Sequence, residues 1–407
     1  MNKKLTALLL CAVICISVLV SCTKPVENTG DVEQNGEQNV EQNGEAAPAG
    51  EPFDFSDVDV SKVAFYTPEG EQTGYIDNNG EKVVPEYVLK INGIPVSLEE
   101  YRYPYLSIKT MKDNGDTALW TEEAAEESRL TEEDVAAMEK EALDYLKQTT
   151  LYQFMSVKYN LPLTEEDLKI VDDNIQSTKD SMNVEGSEYT YEMALEDSFL
   201  TNNLYRYTNT IYSIANKVYN HLYLEENAPL GYTPAEAIKA LEDAGYVRAQ
   251  HILVQFPEAP AEGTDEEKAA AAEQGKADAL KEAEEVLEKV NAGEDFMALV
   301  EQYNDDPGMD MYGEDGYYFN KGYMVKEFED ATYALELGAT SGIVETSYGY
   351  HIIKRLPLAE EYVSENKESL LGEIYSADFT ERLLATYETM TVEYAPEYEL
   401  IAPTTLH

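Results

Sequence analysis

Apolar and polar positions divide the chain into zones of different periodicity, and each zone predicts its own kind of element. Leu5 to Val20 is an apolar run broken only by Thr6 and Ser17 and preceded by Lys3 and Lys4. It is short for a membrane span, which needs about 20 residues, and it has the layout of a secretory signal over residues 1–21. Residues 22–52 carry no apolar period, and Val-Glu-Gln-Asn-Gly occurs at 32–36 and again at 40–44. Such a stretch cannot bury enough surface to fold. As a coil of about 30 residues it spans roughly 30 Å and reads as a tether.

Residues 53–96 read as extended. Tyr75-Ile76 and Lys82-Val83-Val84 flank Asn79-Gly80, a hairpin signal, and Val88 to Val96 reads as a second short hairpin. Ser97 and Glu100 form the pattern of a capping box and start a mainly helical region that runs to residue 245. Thr131/Asp134 and Thr164/Asp167 mark further helix starts, and Thr233-Pro234-Ala235-Glu236 another. Leu204, Tyr207, Ile211, Ala215, Val218 and Leu222 recur at spacings of three and four, a helical stripe. The tyrosines beside it (Tyr205, Tyr207, Tyr212, Tyr219, Tyr223) read as packing with a wet hydroxyl rather than as a groove for unfolded chains.

The period changes after Gly245. Val247 to Phe256 predicts a strand, 265–292 and 295–303 helices, Tyr317 to Phe319 a short strand, and Val325 to Leu335 a helix. Ile343-Val344 and Tyr350 to Leu356 predict closing strands. That order predicts an α+β unit, an antiparallel sheet with surrounding helices, over 246–356. In the remaining residues, 357–407, positions 361–390 predict one helix, and Val392 to Leu400 an extended tail.

Charge narrows the function. Asp and Glu total 80 against 29 Lys and Arg, a formal net of −51, which excludes the basic patch that nucleic acid requires. All three cysteines (Cys11, Cys15, Cys22) fall in the first 22 residues, so the body of the protein has neither disulfides nor thiol chemistry. Of the four histidines, His407 ends the chain and His221 lies beside the helical stripe. His251 and His351 have near-matching settings, Gln250-His251-Ile252-Leu253-Val254 and Tyr350-His351-Ile352-Ile353-Lys354, each opening a strand. Adjacent strands of one sheet would bring them together. Asp305, Asp306, Asp310, Glu314 and Asp315 lack the spacing of a calcium loop and read as a solvated acidic loop, with no metal and no cofactor.

Two resemblances give these residues roles. Leu19-Val20-Ser21-Cys22 resembles the lipobox of bacterial lipoproteins, which implies a diacylglycerol on Cys22 and a place on the outer face of the cytoplasmic membrane. Val247 to Val254, Gly293-Glu294-Asp295-Phe296, Met324 to Ala331 and Tyr348 to Lys354, in that order, resemble a parvulin peptidyl-prolyl isomerase domain. The whole layout resembles the PrsA-type foldase lipoproteins, with SurA as a more distant relative. Carried over by position, His251 and His351 match the two core histidines and Asp306 the cysteine or aspartate near the bond that twists. Met324 and Phe328 match the apolar residues that hold the proline ring, Phe319 lies in the same substrate pocket, and Tyr348 matches a loop residue before the second histidine. Gly313-Glu314-Asp315-Gly316-Tyr317-Tyr318-Phe319 departs from the usual Gly-Gly-Asp-Leu-Gly-Trp-Phe, so a pocket leucine is replaced by Gly316 or Tyr317.

The resemblance implies an extracytoplasmic foldase that isomerises X–Pro bonds in unfolded or partly folded secreted proteins. Chaperone activity would lie in the helical region, with residues 357–407 packing back on it, and a homodimer is one arrangement allowed. The altered loop motivates an alternative, a parvulin-fold holdase without catalysis. The histidine pair has two compatible readings: it sets the geometry around Asp306, or it is a buried polar link that stabilises the sheet.

Overall fold

The computed structural model describes residues 50–398, apart from 70–73, 77–80, 122–125, 127, 128, 185, 259, 261 and 397. The expected signal sequence, Cys22, nearly all of the tether, the Asn79-Gly80 turn and His407 lie outside the described residues. No helix of the described residues is long and apolar enough to cross a membrane. The chain divides into two units, residues 1–231 with 375–407, and residues 232–374.

In the first unit β1 (Tyr75–Ile76) pairs with β2 (Lys82–Val83). β3 (Leu89–Ile91) and β4 (Ile94–Val96) form the second hairpin. Asn92 and Gly93 both have positive φ there, 48° and 82°, as a tight two-residue turn requires. Pro95 sits on β4, an edge strand, where its missing N–H breaks no ladder. The helices that follow are α1 (Leu98–Asp113), α2 (Glu132–Lys158), α3 (Glu165–Met182), α4 (Tyr191–Asp197) and α5 (Asn202–Tyr219). Capping boxes form at Ser97/Glu100, Thr131/Asp134 and Thr164/Asp167, so the starts read from the sequence are real ends. Leu204, Ile211, Ala215, Val218 and Leu222 are all buried. Tyr219 and Tyr223 are core residues, ring centroids 5.2 Å apart. Tyr207 is only half-buried and lines a cleft of about 540 Å³ with Phe65, Val157, Leu168 and Ile214.

The second unit runs α6 (Pro234–Asp243), β5 (Val247–Gln255), α7 (Asp265–Asn291), α8 (Phe296–Tyr303) and α9 (Pro307–Tyr312). It continues with β6 (Tyr317–Phe319), α10 (Lys326–Ala334), β7 (Thr340–Glu345), β8 (Gly349–Leu356) and α11 (Glu360–Glu365). The antiparallel sheet has the order β6-β5-β8-β7. Its central strand β5 is covered on both faces, which is why it reads as a nearly continuous apolar run. Ile252 and Ile352 pack with Val286, Phe296, Leu299 and Met309 on one face. Val247, Ala249 and Ile353 pack with Phe319 and Phe328 on the other.

Three local expectations need correction. His251 is mid-strand in β5 rather than at its opening, because pairing already starts at Val247. The 305–315 stretch is solvated only in part: Asp305 and Glu314 are exposed, but Pro307–Tyr312 is helical, Asp306 caps it, and both Asp305 and Asp306 accept hydrogen bonds from ordered groups. The single helix expected over 361–390 is interrupted at Asn366, whose backbone N–H and side-chain Nδ2 both donate to the Tyr362 carbonyl (2.9 and 2.8 Å) at the end of α11. Beyond it α12 (Lys367–Tyr387) buries Leu371, Tyr375, Phe379, Leu383 and Tyr387, one residue every four. In the first unit Phe379 meets Phe53, Tyr152, Tyr219 and Tyr223, and β9 (Val392–Tyr394) pairs with β3.

Candidate active site

The register of β5 and β8 sets His251 opposite Ile353 and Leu253 opposite His351. The two histidines are therefore diagonal neighbours on one face of the sheet, within side-chain reach. Their rings lie 5.1 Å apart at 22°, with the two Nδ1 atoms at 3.0 Å, and both are buried.

Asp306 reaches this pair because the loop before α9 is tied to an edge of β5. β6 pairs only with Val247 to Ala249. Further along, Asn304 Oδ1 accepts the Leu253 amide (2.9 Å), the Asp305 amide donates to the Leu253 carbonyl (2.8 Å), and Asp305 Oδ2 accepts the Gln255 amide (2.9 Å). Asn304 Nδ2 also donates to the Asp306 carbonyl (2.7 Å), fixing the backbone of the residue that carries the carboxylate.

His251 Nε2 lies 2.8 Å from Asp306 Oδ2, which also accepts the Tyr317 hydroxyl at 2.7 Å, while Oδ1 accepts the Gly308 amide at 3.0 Å. Burial pushes the Asp306 carboxyl up, but the bonds from His251, Tyr317 and Gly308 outweigh it and bring it down to about 2. An ionised carboxylate only accepts, so His251 Nε2 carries a hydrogen. With His251 neutral, its Nδ1 accepts from His351 Nδ1–H, and His351 Nε2 in turn accepts from Thr346 Oγ1 at 2.9 Å. The Tyr348 amide donates to Thr346 Oγ1 (3.1 Å). Thus four groups donate in one direction and end on Asp306. Burial, and then the neighbouring His251, lower the His351 pKa to about 3, so that ring is neutral at ordinary pH.

An aromatic wall stands against this polar chain. Phe328 meets His251 and His351 edge-on, at 5.1 and 5.4 Å between ring centroids, and Phe319 lies 5.9 Å beyond. Met324 packs in the same cluster, half-buried. The structure thus brings together His251, Asp306, His351, Phe328, Phe319 and Met324. Tyr348 is placed differently: its ring is 56% exposed on the turn between β7 and β8, and only its backbone joins the network. The departing loop is held firmly. Arg248 Nε donates to the Asp315 carbonyl (2.6 Å), and Arg248 Nη2 and Gln250 Nε2 donate to the Glu314 carbonyl (2.8 and 2.6 Å).

Sequence reasoning missed Thr346 and Asn304, and it saw Tyr317 only as a replaced pocket residue. Thr346 sits in the polar turn Thr346-Ser347-Tyr348-Gly349 just before the second histidine strand, a detectable signal once the strand is fixed.

Residues 235–356 match the family model described as the PPIC-type PPIase domain. This segment of the chain is similar to the parvulin-type peptidyl-prolyl isomerases. Its relatives include foldases. Foldase protein PrsA 4 of Bacillus cereus is 48% identical over 95 residues, 23% of this chain and 34% of that protein. Foldase protein PrsA of Caldanaerobacter subterraneus subsp. tengcongensis is 26% identical over 278 residues, 67% of this chain and 74% of that protein. The crystal structure of a peptidylprolyl isomerase (PrsA) from Bacillus cereus is 25% identical, covering 65% of this chain and 88% of that one, with a TM-score of 0.23. The chain spans about a third of the length of the first of these relatives.

Proposed function

We propose that the protein is an extracytoplasmic foldase that catalyses cis/trans isomerisation of X–Pro bonds in unfolded or partly folded secreted proteins. The observation that carries this reading is the chain Thr346–His351–His251–Asp306 lying directly against the Phe328 ring. Rotation about a peptide bond faces a barrier of about 18–20 kcal/mol because amide resonance is lost on twisting. No covalent step is needed. A site that grips the proline ring and favours the twisted amide over the planar one lowers that barrier by differential binding. Phe328, Met324 and Phe319 form the apolar grip, and Tyr348 offers an exposed ring at the rim. The histidines hold each other and Asp306 in place and move no proton.

Around this reaction we assign the remaining roles. Cys22 carries the lipid that holds the chain on the outer face of the cytoplasmic membrane, and residues 22–52 are its tether. Residues 53–245 and 357–407 supply chaperone activity, for which the cleft beside Tyr207 and Phe65 offers an apolar surface. The net charge of −51 speaks against a nucleic-acid partner.

A proline-limited refolding assay tests the enzyme reading. The expected result is acceleration over buffer. Suppressed aggregation without acceleration would instead select the holdase. Labelled fatty acid that enters the wild type but not Cys22→Ala checks the anchor.

A further inference from the structure

We propose that Tyr317 is a positioning residue of the isomerase site, its hydroxyl clamping the Asp306 carboxylate against His251, and that Gly308 is the vacancy which lets it do so. The inference rests on the isomerase reading above and names a component that the histidine–aspartate chain alone does not contain. Tyr317 lies in the loop that departs from the resembling pattern, so its role follows from this chain's own geometry.

Three observations converge. The Tyr317 hydroxyl donates to Asp306 Oδ2 at 2.7 Å, the same oxygen that His251 Nε2 contacts at 2.8 Å. Its ring is held between His251 and Tyr312, with centroids at 5.6 and 5.1 Å, so the hydroxyl has little freedom to point elsewhere. Finally, a Cβ built on Gly308 would lie 1.8 Å from the Tyr317 hydroxyl oxygen and 3.0 Å from Cζ. Any side chain at 308 would evict the phenol. The peptide at 308 meanwhile donates its own N–H to Asp306 Oδ1 (3.0 Å), so one glycine both binds the carboxylate and makes room for its second partner. Gly316 completes the placement: its φ is +66°, and a Cβ there would meet the Ala249 carbonyl oxygen at 2.5 Å. The bare backbone can therefore run close along β5 just before Tyr317.

The consequence is orientational. With three donors on its two oxygens, Asp306 has no low-energy rotation towards water although it is partly exposed. Without the phenol, the carboxylate can turn away, and His251 loses the acceptor that fixes hydrogen on Nε2. Since His251 Nδ1 faces His351 Nδ1, any change of tautomer in the first ring is imposed on the second and passes on to Thr346. Burial and the adjacent carboxylate raise the Tyr317 pKa, so it stays protonated and remains a donor across the working range.

The test is a double-mutant cycle on the full chain, with two readouts. Tyr317→Phe keeps the ring and removes the clamp; kcat/KM should fall roughly tenfold, about one charged hydrogen bond, with the acidic limb of the pH profile moving up. Imidazole ¹⁵N shifts should show hydrogen on His251 Nε2 and His351 Nδ1 in the wild type, and mixed tautomers in Tyr317→Phe. Gly308→Ala should reproduce both effects alone, yet add less than about twofold in the Tyr317→Phe background, because the 1.8 Å clash with the hydroxyl is gone and the 3.0 Å contact with Cζ needs only a small shift of the ring. Unchanged kcat/KM and unchanged ¹⁵N shifts in Tyr317→Phe overturn the proposal, as does a Gly308→Ala loss of equal size in both backgrounds. A wild type without isomerase activity defeats the reading of function, and the ¹⁵N comparison then decides the clamp by itself.

Discussion

Thr346 Oγ1 lies 2.9 Å from His351 Nε2, and both residues are buried, so the hydroxyl is the hydrogen that completes this imidazole. Thr346→Val keeps the shape and removes the donor, leaving a buried ring nitrogen unpaired at a cost of about 1–3 kcal/mol. A lower melting temperature and a several-fold loss in kcat/KM are expected. Thr346→Ser should retain most of both. If the serine and valine variants behave alike in thermal melts and in a protease-coupled peptide assay, the hydroxyl is irrelevant.

Acid should weaken the second unit through the same ring. The His351 pKa is lowered from 6.5 to about 3 in the fold, first by burial and then by His251. As pH falls below 6.5 the unfolded chain takes up a proton that the folded ring refuses, so stability is lost progressively towards pH 3. Asp306, depressed to about 2, adds a loss of the same sign between its ordinary value of 3.8 and 2. The expected decline is a few kcal/mol between pH 7 and pH 4, chiefly from His351. Urea unfolding at pH 7, 5 and 4 measures it, and His351→Gln should flatten the slope. An equally steep slope in that variant would falsify the assignment.

Phe328 is both a core side chain and the wall of the site. It is 4% exposed and touches Phe319, His251 and His351. Truncation to alanine should cost about 3–5 kcal/mol, so loss of activity in that variant alone would be ambiguous. Phe328→Leu preserves most of the volume and removes the flat ring. It should melt close to the wild type, yet isomerise a proline peptide roughly tenfold more slowly, the equivalent of about 1.4 kcal/mol of transition-state binding. Normal turnover in the leucine variant would remove the proposed grip.

Legibility in the sequence followed range. Capping boxes at Ser97, Thr131, Thr164 and Thr233 need only four consecutive residues, and all four form. His251 and His351 were recognisable because each sits in a short apolar strand, although 100 residues separate them. What could not be read is set by long-range geometry with no local pattern. The Asp306–Tyr317 bond depends on a glycine at 308 and on loop 304–306 replacing a strand beside β5. Asn366 has the sequence setting of a helix interior position, yet its backbone N–H and side-chain Nδ2 both end on the Tyr362 carbonyl and α11 stops there. The acidic run at 305–315 misled because composition suggests solvation, whereas ordered donors collect on Asp305 and Asp306.

The first unit has its own buried charge pair. Lys109 Nζ lies 2.9 Å from Asp113 Oδ2 near the end of α1, with the two side chains only 8% and 1% exposed. Trp120 Nε1 donates to the same oxygen (2.7 Å) and the Gly115 amide to Oδ1 (2.8 Å). Burial pushes the Asp113 carboxyl up, and Lys109, Trp120 and Gly115 more than offset this, so the net shift is downwards. Lys109→Met should therefore leave an uncompensated buried carboxylate and destabilise the unit by about 3–5 kcal/mol. Adding Asp113→Asn removes the charge and keeps one acceptor oxygen, enough for either Trp120 or the Gly115 amide, so the double variant should regain part of the loss. Urea unfolding followed by Trp120 fluorescence reads this directly, since Trp120 is the one tryptophan in the chain. Should the double variant prove no more stable than Lys109→Met alone, the cost lies in lost lysine packing and not in the stranded charge.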